Sequence, residues 1–195
     1  NQVSVYPGAS LQSDNLQEIF KEIDDSEYIL LQLEIPYNIN LAIAKYAKLK
    51  NKKVILNPAP VCEIGELLNY VDLITPNEIE AITLFGEDFH EQLLNKPFKT
   101  IITRGSKSTL LISDKIEGFE VEKVNVVDTT GAGDAFNGAL VFNLVNSLDL
   151  RECIKNNNIL KYRDEFIKKA NKVAGYTVQH DYVLPGILNL KNKEK

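Results

Sequence analysis

Methionine and tryptophan are absent from this 195-residue chain, and cysteine nearly so. The two cysteines, Cys62 and Cys153, stand far apart and match no metal-ligand spacing, which excludes a cysteine-built zinc site and leaves reduced, intracellular thiols as the expectation. His90 has no partner at zinc-ligand spacing and reads as a surface residue. No apolar run approaches the roughly 20 residues that span a bilayer, and no secretory leader opens the chain. Long basic stripes interleaved with aromatics are missing too, and the net charge is −5, so nucleic acid is not an expected partner. These absences leave a soluble, globular, cytoplasmic protein without membrane partners.

What is present is enough apolar residue, 44% of the chain, to bury a good core as one domain or as part of a larger one. The period alternates along the chain. Tyr28–Leu33, Lys53–Pro58, Val71–Asn77 and Lys99–Gly105 are short apolar runs ending in polar or turn residues, whereas Ile39–Lys50 has helical spacing. Strands alternating with helices predict an α/β fold of three layers, a mostly parallel sheet with helices on both faces. Ser108–Ser113 and Phe119–Val126 read as two further strands around a turn at Asp114–Gly118, forming an antiparallel edge. Gln2–Tyr6 also reads as a strand. After Leu148 the chain reads as helical, interrupted by Asn156–Asn158. Lys168, Lys169 and Lys172 fall on a mixed-charge helix and read as a solvated face.

The stretch NVVDTTGAGDAFNGAL, Asn125–Leu140, carries the chemistry. Phe136, Ala139, Leu140, Phe142, Leu144, Val145 and Leu148 have helical spacing with few charges, predicting a well-buried helix. Gly131, Ala132 and Gly133 supply its first unpaired N–H groups, which attract an anion, and the carboxylate of Asp134 stands beside that positive pole. Two readings stay open from the residues alone: an anion-binding turn with an active carboxylate, or an acid that compensates the helix dipole. The common nucleotide turns do not fit, because no lysine follows the glycines and Phe136 occupies the third position of G-x-G-x-x-G.

Open sheets of this kind bind ligands outside the carboxyl ends of their strands, and four such ends here are polar: Glu34, Asn57, Asn77 with Glu80, and Thr103. Asn77 and Glu80 share one face of a predicted first helical turn. An amide oxygen and a carboxylate suit a hydrated Mg²⁺. Asn followed by Glu three residues later is equally the signature of a capping box, and on the residues alone that reading is the better one.

DTTGAGDAFNGAL resembles the second signature of the ribokinase-like sugar and nucleoside kinases. VYPGAS, LLQLEIP, LNPAP and TPNEIEA resemble further motifs of that family, in the same order and at similar spacing. The resemblance implies ATP as phosphoryl donor and the primary hydroxyl of a sugar, D-ribose by the LLQLEIP and LNPAP motifs, as acceptor. It makes Asp134 the general base and Gly131, Ala132 and Gly133 the anion hole. It assigns Asn77 and Glu80 to the phosphate and Mg²⁺ motif, reversing the preference for capping. Thr103, Gly105, Ser106, Lys107 and Ser108 fall where the family holds the nucleotide, Asn171 falls on the adenine pocket, and Glu34 matches an acid that contacts ribose. Asp128 and Thr130, with Thr177, His180, Tyr182 and Gly186, match the two loops that take a monovalent cation, usually K⁺.

Departures from the family pattern bear on the same sites. Ser108 replaces a usual glycine, Arg104 is charged where an apolar residue is common, Ser10 replaces an asparagine, and Tyr182 occupies a glycine position in the second cation loop. The family's upstream sugar-gripping motif and lid strands have no counterpart here, so the chain is expected to be the C-terminal, nucleotide-binding and catalytic part of a ribokinase-like domain. A homodimer through that lid is the expected assembly of the full-length protein.

Overall fold

The computed structural model describes residues 16–146 and 163–181. Six strands, β1 (Tyr28–Leu31), β2 (Lys53–Leu56), β3 (Leu73–Ile74), β4 (Lys99–Ile102), β5 (Thr109–Ile112) and β6 (Ile116–Phe119), form one sheet in chain order. The first four run parallel, while β5 and β6 add an antiparallel edge. Helices α1 (Leu16–Asp25), α2 (Tyr37–Leu49), α3 (Glu78–Phe85), α4 (Phe89–Leu93), α5 (Ala132–Asn146) and α6 (Arg163–Thr177) cover it.

Side chains along a strand alternate between faces, and the core divides accordingly. Val54, Leu56, Ile74, Ile102, Leu110 and Ile112 pack with Ile39 and Ile43 of α2, Ala81 of α3 and Phe89 and Leu93 of α4. Ile55, Leu73, Ile101, Leu111 and Phe119 face the other way, onto Phe136, Leu140 and Leu144 of α5 and Phe166, Ile167 and Ala170 of α6. The strands are apolar on consecutive residues because both faces are covered, as parallel sheets require. This is the three-layer α/β arrangement that the alternating periods predict.

Two expectations need correction. The last strand is Ile116–Phe119, not Phe119–Val126. The hairpin closes tightly, Ser113 N–H donating to the Lys115 carbonyl at 3.0 Å, so pairing begins at once and ends where Phe119 meets Thr109. Residues 120–126 then have no strand to pair with among the described residues. In α5, Phe136, Leu140 and Leu144 are buried as expected, but Phe142 is 65% exposed. The expected strand at Gln2–Tyr6, Ser10 and the break at Asn156–Asn158 lie outside the described residues. No helix among the described residues is long and apolar enough to cross a membrane.

Candidate active site

Because β1 to β4 are parallel, their carboxyl ends lie at one edge of the sheet, where the chain places its polar residues. Hydrogen bonds stitch these ends together. The Asn57 carboxamide donates to the Thr75 carbonyl at 3.1 Å. Past β3, Glu78 N–H donates to the Thr103 carbonyl at 3.0 Å and Thr103 N–H to the Pro76 carbonyl at 3.1 Å, so the Asn77 turn and the Thr103 turn move as one.

The start of α5 meets this edge. Gly131 has φ 74°, a left-handed conformation that costs little only for glycine. Asp128 Oδ1 accepts the Thr130 N–H at 2.9 Å, and this backbone bond is the main cause holding the Asp128 carboxyl below its ordinary range. Ala132 N–H donates to the Thr129 carbonyl at 3.3 Å and Ala135 N–H to that of Gly131 at 2.9 Å. Among the described residues the N–H groups of Gly131, Gly133 and Asp134 have no acceptor, so the open donors include Asp134 itself, and Ala132 is less free than the sequence suggests. A β-carbon built on Gly133 would meet nothing within 4 Å. The exposed Asp134 carboxylate accepts a hydrogen bond at 2.9 Å from the Gln32 carboxamide, which also donates to Asn57 Oδ1 at 3.0 Å. Gln32, which the sequence reading passed over, thus joins Asn57 to Asp134 at this edge. Glu34 lies two residues further on, exposed, beside a groove of about 430 Å³ along β1, the outermost strand among the described residues.

Asn77 and Glu80 form a complete capping box: Glu80 N–H donates to Asn77 Oδ1 and Asn77 N–H to Glu80 Oε2, both at 2.8 Å. Burial pushes the Glu80 carboxyl up from its ordinary range, with the Asn77 N–H opposing. The pair uses one carboxylate oxygen and leaves the other outside it. Mg²⁺ keeps most of its waters and takes one or two carboxylates, so this donor set fits a hydrated ion. Among the described residues no group of three or more His, Cys, Asp or Glu side chains could hold a metal directly.

The unusual Arg104 and Ser108 account for each other. Arg104 donates from Nε to the Ser108 carbonyl at 2.8 Å and from its terminal nitrogen to the Ser108 hydroxyl at 2.6 Å. That fork closes the turn carrying Gly105, whose φ is 60°, and exposed Ser106. Lys107 is committed to Glu78 at 2.9 Å and holds that carboxyl below its ordinary range.

Asn171 lines a cavity of about 330 Å³ with Glu120, Val124, Lys168, Lys172 and Tyr176, among others, so part of the lysine face borders a cavity. Its Oδ1 accepts from Thr109 at 2.8 Å, while its buried Nδ2 has no hydrogen-bond partner among the described residues. The two proposed cation loops also meet: Val127 and Asp128 N–H groups donate to the Val178 carbonyl at 2.8 and 3.2 Å, bringing Asp128 and Thr130 near the end of α6. There Thr177 is buried with its hydroxyl on the Val173 carbonyl, and the His180 ring bonds the Tyr176 carbonyl. Tyr182 and Gly186 lie outside the described residues.

A family model of the pfkB family carbohydrate kinases matches residues 1–158. The ribokinase of Lactococcus lactis is 38% identical over 160 residues, covering 80% of this chain and 53% of that protein. The crystal structure of ribokinase from Thermotoga maritima aligns with a TM-score of 0.70 at 29% identity, over 86% of this chain and 55% of that one. The Arabidopsis thaliana ribokinase complexed with ribose and ATP gives 0.67 at 26% identity, over 92% and 57%. The chain spans about half the length of the curated relatives it matches.

Proposed function

We propose, from the premise that this chain belongs to the pfkB family of carbohydrate kinases, that it carries the nucleotide-binding and catalytic part of an ATP-dependent kinase acting on the 5-hydroxyl of D-ribose. The observation that carries the reading is Asp134, an exposed carboxylate at the mouth of α5 beside three N–H groups with no acceptor among the described residues. Ribose is favoured by the relatives named ribokinase and by the solved complex with ribose and ATP; another sugar or a nucleoside is the competing substrate.

In this reading Asp134 accepts the hydroxyl proton as the sugar oxygen forms its bond to the terminal phosphorus. The bond to the bridging oxygen breaks and ADP leaves with that electron pair. The Gly131, Gly133 and Asp134 N–H groups face the transferring phosphoryl group, where stabilisation is most effective as charge develops. The Thr103–Ser108 turn holds the nucleotide phosphates and Asn171 borders the base. Glu34 reaches the sugar from the end of β1. Mg²⁺, held through water by Asn77 and Glu80, would neutralise phosphate charge when bound. Asp128, Thr130, Thr177 and His180, with Tyr182 and Gly186, would offer K⁺ a site near the anion hole. The full-length protein is proposed to work in the cytoplasm, as a homodimer.

The test is turnover of the full-length protein with ATP and D-ribose, alongside other sugars and nucleosides. Asp134→Asn should lower kcat by roughly 10² to 10⁴ with ATP affinity nearly intact, because it removes a base and not a phosphate ligand. Near-normal turnover in that variant, or a strong preference for a different acceptor, overturns the assignment.

A further inference from the structure

We propose that Gln32 is a positioning residue for phosphoryl transfer: its carboxamide holds Asp134 by Oδ1, leaving Oδ2 to take the proton. The inference rests on the reading of Asp134 as the base. Carboxamide orientation is ambiguous when the amide stands alone, but here a chain of bonds fixes it. The Thr75 carbonyl can only accept, so Asn57 must turn its NH₂ toward it, at 3.1 Å. Asn57 Oδ1 therefore faces Gln32, which must answer with its own NH₂, at 3.0 Å. The second N–H of that NH₂ points to Asp134 Oδ1, at 2.9 Å.

The backbone of Gln32 is fixed as firmly. Asn40 of α2, fully buried, donates to the Gln32 carbonyl at 2.8 Å. The flanking residues are tied to the neighbouring strand, Leu33 N–H to the Ala59 carbonyl and Asn57 N–H to the Leu31 carbonyl, both at 2.9 Å. Asp134, by contrast, is exposed, and Gln32 is the one side chain among the described residues that hydrogen-bonds its carboxylate. The order of the sheet edge thus reaches the carboxylate through Gln32. Misplacing a reacting group by about 1 Å can cost on the order of 10²-fold in rate.

The experiment compares Gln32→Met, Gln32→Glu, Asn57→Ala and the Gln32→Met/Asn57→Ala pair with the parent in the full-length protein, below the melting temperature of each variant. Gln32→Met keeps the length of the side chain and removes the donor; kcat should fall about 10- to 100-fold while KM for ATP stays within about twofold. Gln32→Glu keeps the shape, presents an acceptor to Asp134, and should show the same loss. Asn57→Ala should cost less, and the pair should be no slower per folded molecule than Gln32→Met alone, since the Asn57 side chain reaches Asp134 through Gln32. A role confined to packing would lower stability and leave kcat per folded molecule unchanged, and kcat losses that add in the pair would mean that the two residues act independently; an unchanged kcat or additive losses overturns the proposal. If Gln32→Met and Gln32→Glu keep their kcat while Asp134→Asn stops the reaction, the positioning role fails and the base stands. If Asp134→Asn itself keeps turnover, the base fails first.

Discussion

Two helix starts at the same edge of the sheet have been handed similar residues and used them in opposite ways. At α3 the acid of the first turn, Glu80, closes back on the Asn77 backbone, and Asn77 closes on Glu80. At α5 the acid of the first turn, Asp134, reaches away to Gln32, and three N–H groups have no acceptor among the described residues. The difference lies in the residue before the helix. Asparagine has an oxygen to fold over the first turn; Gly131 has no side chain to do so and a φ that disfavours most replacements. A helix start is thus sealed or left reactive by its capping position more than by its acid.

The sharpest way to break this contrast is to place an atom in the open turn. Gly133→Ala meets no neighbour within 4 Å and removes glycine's backbone entropy, so stability should hold or rise slightly. If the anion hole takes a phosphoryl group against the bare backbone of this turn, the added methyl should crowd it, and kcat in the full-length protein should fall on the order of 10²-fold, as when an oxyanion-hole donor is lost. Steady-state kinetics beside thermal denaturation checks this; full activity would mean that the donors are not used.

Opening the sealed turn should act in the reverse sense. Asn77→Ala should lose about 1 kcal/mol of stability, which lowers the melting temperature by roughly 2 to 4 °C in a chain of this size. The activation of turnover by Mg²⁺, titrated in the same variant, divides the two uses of the residue. A weakened response indicates that the cap also holds the ion's water shell, and an unchanged response leaves the cap alone.

The smallest effect is a pH slope. Glu80 titrates above its ordinary range because burial disfavours its charge. The folded state therefore binds this proton more tightly than the unfolded chain does. The stability so gained is complete below the ordinary glutamate range and is lost as pH rises through the raised pKa. Melting temperature followed across that window should decline slightly in the parent, and the decline should be shallower in Glu80→Gln.

Much of this was legible in the sequence for a simple reason. Strands covered on both faces appear as apolar runs, and their polar ends, Glu34, Asn57, Asn77 and Thr103, mark one edge. Asn77 and Glu80 announced their capping box by spacing alone. Gln32 did not stand out, because a glutamine inside an apolar run looks like an interruption, and its partner lies 102 residues away. The pairing of Arg104 with Ser108 was hidden similarly: each looked like a separate departure from a pattern, and only the fold shows one fork joining them. The misplaced last strand records the limit of alternation, which marks residues able to pair but not whether a partner strand remains.

The order of the sheet follows the order of the chain, and this bears on how the molecule is made. Each strand from β2 to β6 finds its neighbour in the strand synthesised just before it, so the sheet can grow by short closures as the polypeptide emerges, with modest loop entropy at each step. The bond from Gln32 to Asp134 is the exception, since it joins the first strand's end to a helix made after the last strand. A nascent chain stopped before Ala132 would hold all six strands but lack both the helices that cover one face and the carboxylate proposed as the base. On this topology the six strands are made before the carboxylate proposed as the base, and the helix that carries that carboxylate also closes the second face of the sheet.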